Sequence, residues 1–431
     1  MDKIPTVAIH TLGCKLNQAE SELLSRRLST AGFNLAQGRR ADVFIVNTCT
    51  VTHVADSKSR HLVRMLRRQN PGALIVAVGC SARLAARELK ECGADVTLAN
   101  PDKSSAVDLL CQKYDTIRAA SSQSGDRVRS FIKIQDGCAN FCSYCIVPYV
   151  RSQVNSVPAE QVLDEIQLRV LEGYKEVVLT GTEIGSYNSN GVSLEGLIRR
   201  ILRETAIPRL HLSSLQPQWM SRDLLGMWDD RRLCRHFHLA LQSGSDSVLK
   251  RMKRCYTVAD YQKALAGIRD IMPDASITTD IIVGFPGESE EDFRQSLALC
   301  EQMRLAAIHV FAYSARPGTE AAAMPDRVGD KVQKERSAAM LDLAELSSRR
   351  FARSLAGTTR PVLWENRIRQ GEGIYSGLTD NYMRVYTQSS TDITNSITPV
   401  RLLQPVEEMK ERRLQRTRRD NRAELWCEVI Q

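Results

Sequence analysis

Short apolar runs rich in β-branched residues alternate with helical patterns along most of the 431 residues. That alternation predicts parallel sheets covered by helices, because two parallel strands need a crossover segment between them. In a first block, residues 7–10, 43–47 and 74–78 read as strands and residues 18–31 and 57–69 as helices. In a second, residues 131–134, 176–180, 209–213, 236–241, 277–283 and 308–313 read as strands, with helical patterns such as 159–172 and 288–303 between them. Six β/α units in succession predict a partial β/α barrel, closed or open. Residues 330–355 continue as one long helical pattern.

The blocks are separated by changes of composition. Residues 112–130 contain AASSQSGDRVRS, which is small, polar and non-periodic and reads as a linker. After Gly357, residues 361–364, 373–375, 382–387 and 400–403 read as short strands broken by Gly, Asn, Asp and Ser. A small β-barrel of about 50 residues is the expectation there. The organisation predicted is α/β: a parallel-sheet domain over 1–111, a linker, a partial (β/α)6 barrel over 131–355, a small barrel over 356–406 and a tail over 407–431. In that tail, residues 409–422 (MKERRLQRTRRDNR) hold seven basic and two acidic side chains, so their +5 is more than half of the net +9. The tail is either a solvated helix or a polyanion-binding arm. No stretch approaches the ~20 apolar residues of a membrane span. The start, MDKIPTVAIH, shows no basic segment followed by an apolar one, so the expected location is cytoplasmic, where thiols stay reduced.

Twelve cysteines therefore call for an explanation other than disulfides. Cys138, Cys142 and Cys145 form C-x3-C-x2-C in QDGCANFCSYCIVPYVRS, just after the first strand of the second block. In β/α barrels, chemistry sits on loops at the carboxyl ends of strands. Three close thiolates suit an iron–sulfur cluster, and a four-iron cluster with three ligands keeps one corner open. Structural zinc takes four Cys or His ligands, and neither a fourth thiol nor a suitable His lies nearby. Zinc and inert thiols are the alternatives. Cys14, Cys49 and Cys80 are far apart, yet each ends a predicted strand: AIHTLGC, VFIVNTC and LIVAVGC. The carboxyl ends of parallel strands line one edge, which predicts that these thiols meet as a second three-ligand site. Cys92, Cys111, Cys234, Cys255, Cys300 and Cys427 lack such placement and read as core or surface thiols.

The CANFCSYC segment resembles the signature of the radical S-adenosylmethionine (SAM) superfamily, with an aromatic, Tyr144, before the last cysteine. The resemblance implies that the open iron chelates the amino and carboxylate groups of SAM and that one electron cleaves SAM to a 5′-deoxyadenosyl radical. It makes strand-end residues candidates for the SAM pocket. These are Tyr144 itself, Gly181, Thr182 and Glu183 in VVLTGTEIGSY, Gln242 and Ser243 in LALQSGSD, and Asp280 in TTDIIVGFPGE. The ordinary reading of such glycines, Gln and Ser is as turns and caps, whereas a mid-strand carboxylate such as Asp280 needs a partner if buried.

Taken with TLGCKLNQAE, NTCTVT, VAVGCSAR and DIIVGFPGE, the chain resembles the methylthiotransferase family along nearly its whole length. The resemblance implies an N-terminal cluster domain, a radical SAM domain and a C-terminal TRAM β-barrel. It implies two 4Fe-4S clusters, with that at Cys14, Cys49 and Cys80 holding sulfur, one SAM supplying methyl and another the radical. TLGCKLNQ looks like the branch that converts tRNA N6-threonylcarbamoyladenosine beside the anticodon to its 2-methylthio form. The isopentenyladenosine branch more often reads TYGCQMN and the ribosomal-protein aspartate branch SLGCPKN, so Lys15 and Gln18 carry much of the distinction. Two departures are Ser152 after Arg151, where many relatives have Gly, and Glu183, where relatives often have a different polar residue. The implied partners are the tRNA anticodon stem-loop, an electron donor such as flavodoxin or ferredoxin, and a sulfur donor of unspecified identity, with no membrane. Tyr375, Tyr382 and Tyr386 beside the basic tail fit RNA binding at the small barrel; a packing module is the alternative. A rival of another class is a non-catalytic RNA-binding protein with zinc in both cysteine sets.

Overall fold

The computed structural model describes residues 4–114, 128–369, 373–406 and 423–430. Most of the predicted linker and residues 409–422 of the predicted tail lie outside the described residues.

The first unit is a five-stranded parallel sheet in the order Asn34–Leu35, Thr6–Thr11, Val43–Thr48, Leu74–Gly79, Val96–Leu98. Its middle strand, VFIVNT, is buried at every residue. A parallel strand covered on both faces needs such a continuous apolar run. The two-residue period divides it: Val43 and Ile45 pack with Leu24, Leu28 and Ala106, whereas Phe44 and Val46 pack with Val63, Leu66 and Leu89. Helices Lys15–Thr30 and Ser105–Tyr114 thus cover one face and helix His53–Gln69 the other. Helix Ser105–Tyr114 runs into the segment read as a linker, and strand Arg129–Lys133 begins inside its other end.

The second unit sets six parallel strands side by side: Arg129–Lys133, Glu176–Thr180, Arg209–Leu212 continuing as Ser214–Leu215, His236–Leu239, Ser276–Val283 and Ala307–Ala312. No pairing among the described residues joins the first of these strands to the last, so the barrel is open. The N-terminal unit straddles the opening. Its helix Lys15–Thr30 packs on Arg129–Lys133, while on the far side Arg316 Nη2 donates to Thr50 Oγ1 (2.6 Å) and His53 N to Ser314 Oγ (3.3 Å).

Helix Asp330–Leu355 links two cores: Met340 and Ala344 enter the large one, Ala352 and Leu355 the next. That next core fills a closed five-stranded barrel in the order Thr359–Arg369, Ile374–Thr379, Arg384–Gln388, Leu425–Val429, Ile397–Pro405. Leu425–Val429, expected in the tail, is a barrel strand: it pairs parallel with Arg384–Gln388 and antiparallel with Ile397–Pro405, burying Leu425 and Cys427. The tyrosines expected to face RNA turn inward. Tyr375 and Tyr386 are buried, and Tyr382 stacks on His211 with centroids 3.9 Å apart while its hydroxyl meets Glu176. Tyr382 packs the two barrels together, while Tyr375 and Tyr386 fill the small barrel itself. Among the described residues no helix is long and apolar enough to cross a membrane.

Candidate metal centres and cofactor pocket

Cys14, Cys49 and Cys80 each stand at the carboxyl end of a strand, at one edge of the N-terminal sheet. Cys14 caps helix Lys15–Thr30 and is exposed, whereas Cys49 and Cys80 are buried. Gly13 sets the approach of the first two turns. Its φ is +99°, and a Cβ there would stand 2.8 Å from Cys49 Cβ and Sγ, so no other residue fits. Asn17 ties the same turns, its Nδ2 donating to Leu12 O (2.7 Å) and Thr48 O (3.0 Å). Thr48 Oγ1 in turn donates to Val78 O (2.7 Å) and accepts from Ser81 N (3.2 Å), which holds the Cys80 turn.

Cys138, Cys142 and Cys145 lie on the loop after the first barrel strand, all partly exposed. Gln135 aligns this loop with the next one. Its Oε1 accepts from Thr182 N (3.0 Å) and Glu183 N (2.8 Å), and its Nε2 donates to Gly137 O (2.7 Å). Glu183 is the meeting point: Oε2 accepts from Asn140 Nδ2 (2.8 Å) and Cys138 Sγ (3.3 Å), and Oε1 from Gln216 Nε2 (3.0 Å) and Trp219 Nε1 (3.3 Å). Arg254 Nη1 donates to Cys142 Sγ (3.2 Å). Asn140, Gln216, Trp219 and Arg254 carry no shared sequence signal: they come from three distant segments, the cysteine loop, residues 216–219 and the turn at 254.

The other sequence candidates divide. Gly181 packs on Gln135, where a Cβ would stand 2.8 Å from the carbonyl oxygen. Thr182 Oγ1 is buried without a hydrogen-bond partner among the described residues. Gln242 takes a φ of +73° and exchanges backbone hydrogen bonds with Asp280 O (2.8 Å) and Ile282 N (2.9 Å). Ser243 is buried in the wall, its hydroxyl beside Ser245 N (3.3 Å) and Ser296 Oγ (3.4 Å). Asp280 sits mid-strand, and His238 Nε2 lies 3.2 Å from its Oδ2 with His309 close by. Tyr144 packs edge-on against Phe285 at 6.4 Å.

The donor sets fit clusters better than single ions. Around one tetrahedral zinc, sulfurs ~2.3 Å from the metal stand roughly 3.8 Å apart. Among the described residues neither cysteine set gathers its sulfurs as closely as a single ion requires, whereas the ligand atoms of His238, Asp280 and His309 all lie within 4.8 Å of one another. The wider spread suits a polynuclear centre. Without a metal, burial pushes Cys49 and Cys145 up to about 11 and Cys138 up to about 12, so the thiols keep their protons at neutral pH. Metal binding would displace those protons.

An open parallel β/α barrel with three cysteines on the loop after its first strand defines a radical SAM protein, and residues 132–300 match the radical SAM superfamily. The threonylcarbamoyladenosine tRNA methylthiotransferase MtaB of Thermotoga maritima is 36% identical over 394 residues, covering 88% of this chain and 90% of that protein. The chain belongs to the methylthiotransferase family of radical SAM enzymes and uses SAM and 4Fe-4S clusters. Residues 6–99 match a family described as uncharacterized protein family UPF0004. The MtaB of Bacillus subtilis is 32% identical over 422 residues, covering 92% of this chain and 94% of that protein. The tRNA-2-methylthio-N(6)-dimethylallyladenosine synthase of Thermodesulfovibrio yellowstonii is 31% identical over 399 residues, covering 88% and 93%. The radical SAM methyltransferase TsrM of Kitasatospora setae shares the fold, with a TM-score of 0.56 at 15% identity over 86% of this chain and 78% of that one.

Proposed function

We propose that the protein converts N6-threonylcarbamoyladenosine beside the tRNA anticodon to its 2-methylthio form. The observation that carries this reading is the junction of the two cysteine sets: Cys80 packs on Ile146 and Val150, one and five residues after Cys145. A sulfur-holding centre and a radical-generating centre must share one substrate, and this packing supports a reading in which they lie side by side. Bound there, the clusters and SAM supply a carbon-centred radical and a methylated sulfur.

The chain's own residues bind, orient and shield. Cys138, Cys142 and Cys145 hold one 4Fe-4S cluster and Cys14, Cys49 and Cys80 the other. Glu183, ringed by neutral donors, keeps a carboxylate at the cluster loop for the SAM amino group. Thr182 Oγ1 and Asp280 offer further polar contacts, and Tyr144, held against Phe285, offers an aromatic face from the cysteine loop. Gln242 fixes the Asp280 strand through its backbone, and Gly181 and Ser243 set the loops. Lys15 and Gln18 follow the exposed Cys14, where the branches of the family differ. The enzyme works in the cytoplasm, reduced by an electron donor such as a flavodoxin or ferredoxin and resupplied by a sulfur donor.

Mass analysis of tRNA nucleosides from a strain lacking the gene tests the reading. The 2-methylthio form of N6-threonylcarbamoyladenosine should vanish and its precursor accumulate. Loss of methylthio-isopentenyladenosine instead would move the protein to another branch, and unchanged nucleosides would remove tRNA as substrate.

A further inference from the structure

Arg151 belongs to the barrel unit, six residues after Cys145, yet its guanidinium is buried against the N-terminal unit. Nη1 and Nη2 donate to Glu20 Oε1 and Oε2 (both 2.9 Å), and Nη2 also to Asn17 Oδ1 (3.0 Å). One bond stays in its own unit, from Nη1 to Asp136 Oδ1 (2.7 Å). Asn17 and Glu20 lie on the helix that Cys14 caps. The Asn17 amide also grips the carbonyls of Leu12 and Thr48, just ahead of Cys14 and Cys49. By taking the Asn17 oxygen, Arg151 fixes which way that amide faces. The preceding residue reaches the third cysteine: Val150 O accepts from Asn100 Nδ2 (3.0 Å), which also donates to Cys80 Sγ (3.3 Å). Two consecutive residues from one unit therefore hold all three cysteine turns of the other.

The charges around this contact do not cancel. Arg151, Lys103 and Lys133 face Glu20 and Asp136. Lys103 also donates to Asn47 Oδ1 (3.0 Å), and Arg151 acts electrostatically on all three thiols. One positive charge is left over, and Arg151, Lys103 and Glu20 are buried, where screening is weak. A nearby cation favours the more reduced, more negative state of an iron–sulfur centre, whose potential follows local charge and hydrogen bonding.

We propose that Arg151 is a positioning residue of the N-terminal metal centre, supplied by the neighbouring unit. It locks the Cys14 and Cys49 turns through Asn17, and it raises the reduction potential of the cluster held there. This rests on the reading that Cys14, Cys49 and Cys80 bind a 4Fe-4S cluster.

The test uses the full chain carrying Cys138→Ala, Cys142→Ala and Cys145→Ala, so that the N-terminal cluster titrates alone. Iron and sulfide are counted, and the midpoint potential is followed by electron paramagnetic resonance during titration with dithionite. Arg151→Gln, which removes the charge, should lower the midpoint, and Arg151→Lys, which keeps it, should return the midpoint toward the parent. If Arg151→Gln takes up no iron while Arg151→Lys loads at the parental midpoint, the charge is again what the centre needs. Equal midpoints for parent and Arg151→Gln overturn the proposal, as does an Arg151→Lys variant that loads its cluster but titrates like Arg151→Gln. A parent without a four-iron centre removes the underlying reading as well, and is recognised by the iron count alone.

Discussion

The thiol of Cys138 donates to Glu183 Oε2 across 3.3 Å, joining the first cysteine of the barrel loop to the loop after the second strand. Every other partner of that carboxylate is a neutral donor: Asn140, Gln216 and Trp219. Among the described residues no Arg or Lys pairs with it, which suits a cationic amino group.

Glu183→Gln keeps the shape of this cradle and removes its charge. A hydrogen bond to a charged group contributes about 1.5–3 kcal/mol, so SAM affinity should fall about tenfold to a hundredfold. Equilibrium binding to the reconstituted protein measures it, with iron content unchanged. An unaltered Kd would take Glu183 out of the SAM contacts.

The two cysteine sets should load independently. Wild type should hold about eight irons, and either triple Cys→Ala variant about four. With Cys14, Cys49 and Cys80 replaced, SAM should still be cleaved to 5′-deoxyadenosine while methylthio transfer stops. Loss of SAM cleavage in a folded variant that retains about four irons would contradict this division of labour.

Much of this arrangement was legible before the fold was known, for a physical reason. Val43–Thr48 and Leu74–Gly79 are covered on both faces, so each needs an unbroken apolar run, and the cysteine that follows is fixed at the sheet edge. Helix Asp330–Leu355 announces itself through 26 residues of helix formers ending ahead of Gly357. Contacts that depend on tertiary register were not legible. The Glu20 partner of Arg151 is 131 residues away, and nothing local pairs them. Leu425–Val429 follows a long charged segment and finds its neighbours across it, so its LWCEV run resembled the end of a tail. The inward turn of Tyr382 is set by packing against His211 and Glu176 of the other barrel, which composition cannot express.

Glu172 and Arg26 clamp the N-terminal unit to the barrel, Arg26 Nη1 donating to Glu172 Oε1 at 2.6 Å with a second parallel bond beside it. That hydrogen bonding from Arg26 holds the Glu172 carboxyl below its ordinary range. A depressed carboxyl stabilises the fold above its unfolded pKa, near ~4.3, and loses that contribution as pH falls through the folded value. Glu172→Gln should therefore be less stable than wild type at pH 7, by about 0.5–1 kcal/mol for a partly exposed pair. The difference should shrink steadily below pH ~4.3. Thermal unfolding of both proteins across that range decides it; a gap that persists in acid would mean the carboxylate charge is not what the clamp uses.

The basic segment 409–422 lies outside the described residues, but its +5 can be tested without cutting the chain. Truncation after Glu408 is the wrong instrument, because it also removes Leu425–Val429 and opens the five-stranded barrel. Replacing Arg412, Arg413, Arg416, Arg418 and Arg419 by Gln keeps that strand and removes five charges. If these side chains meet phosphates, tRNA binding should weaken most at low salt. The slope of log affinity against log salt should flatten by roughly 0.7–0.9 for each phosphate no longer neutralised. SAM cleavage should be unaffected, since no cysteine ligand or SAM candidate lies in the segment. Binding titrations of both proteins at several ionic strengths separate the outcomes. Superimposable lines would leave RNA recognition to other surfaces, and parallel displaced lines would mean that the substitutions act through the barrel rather than through charge.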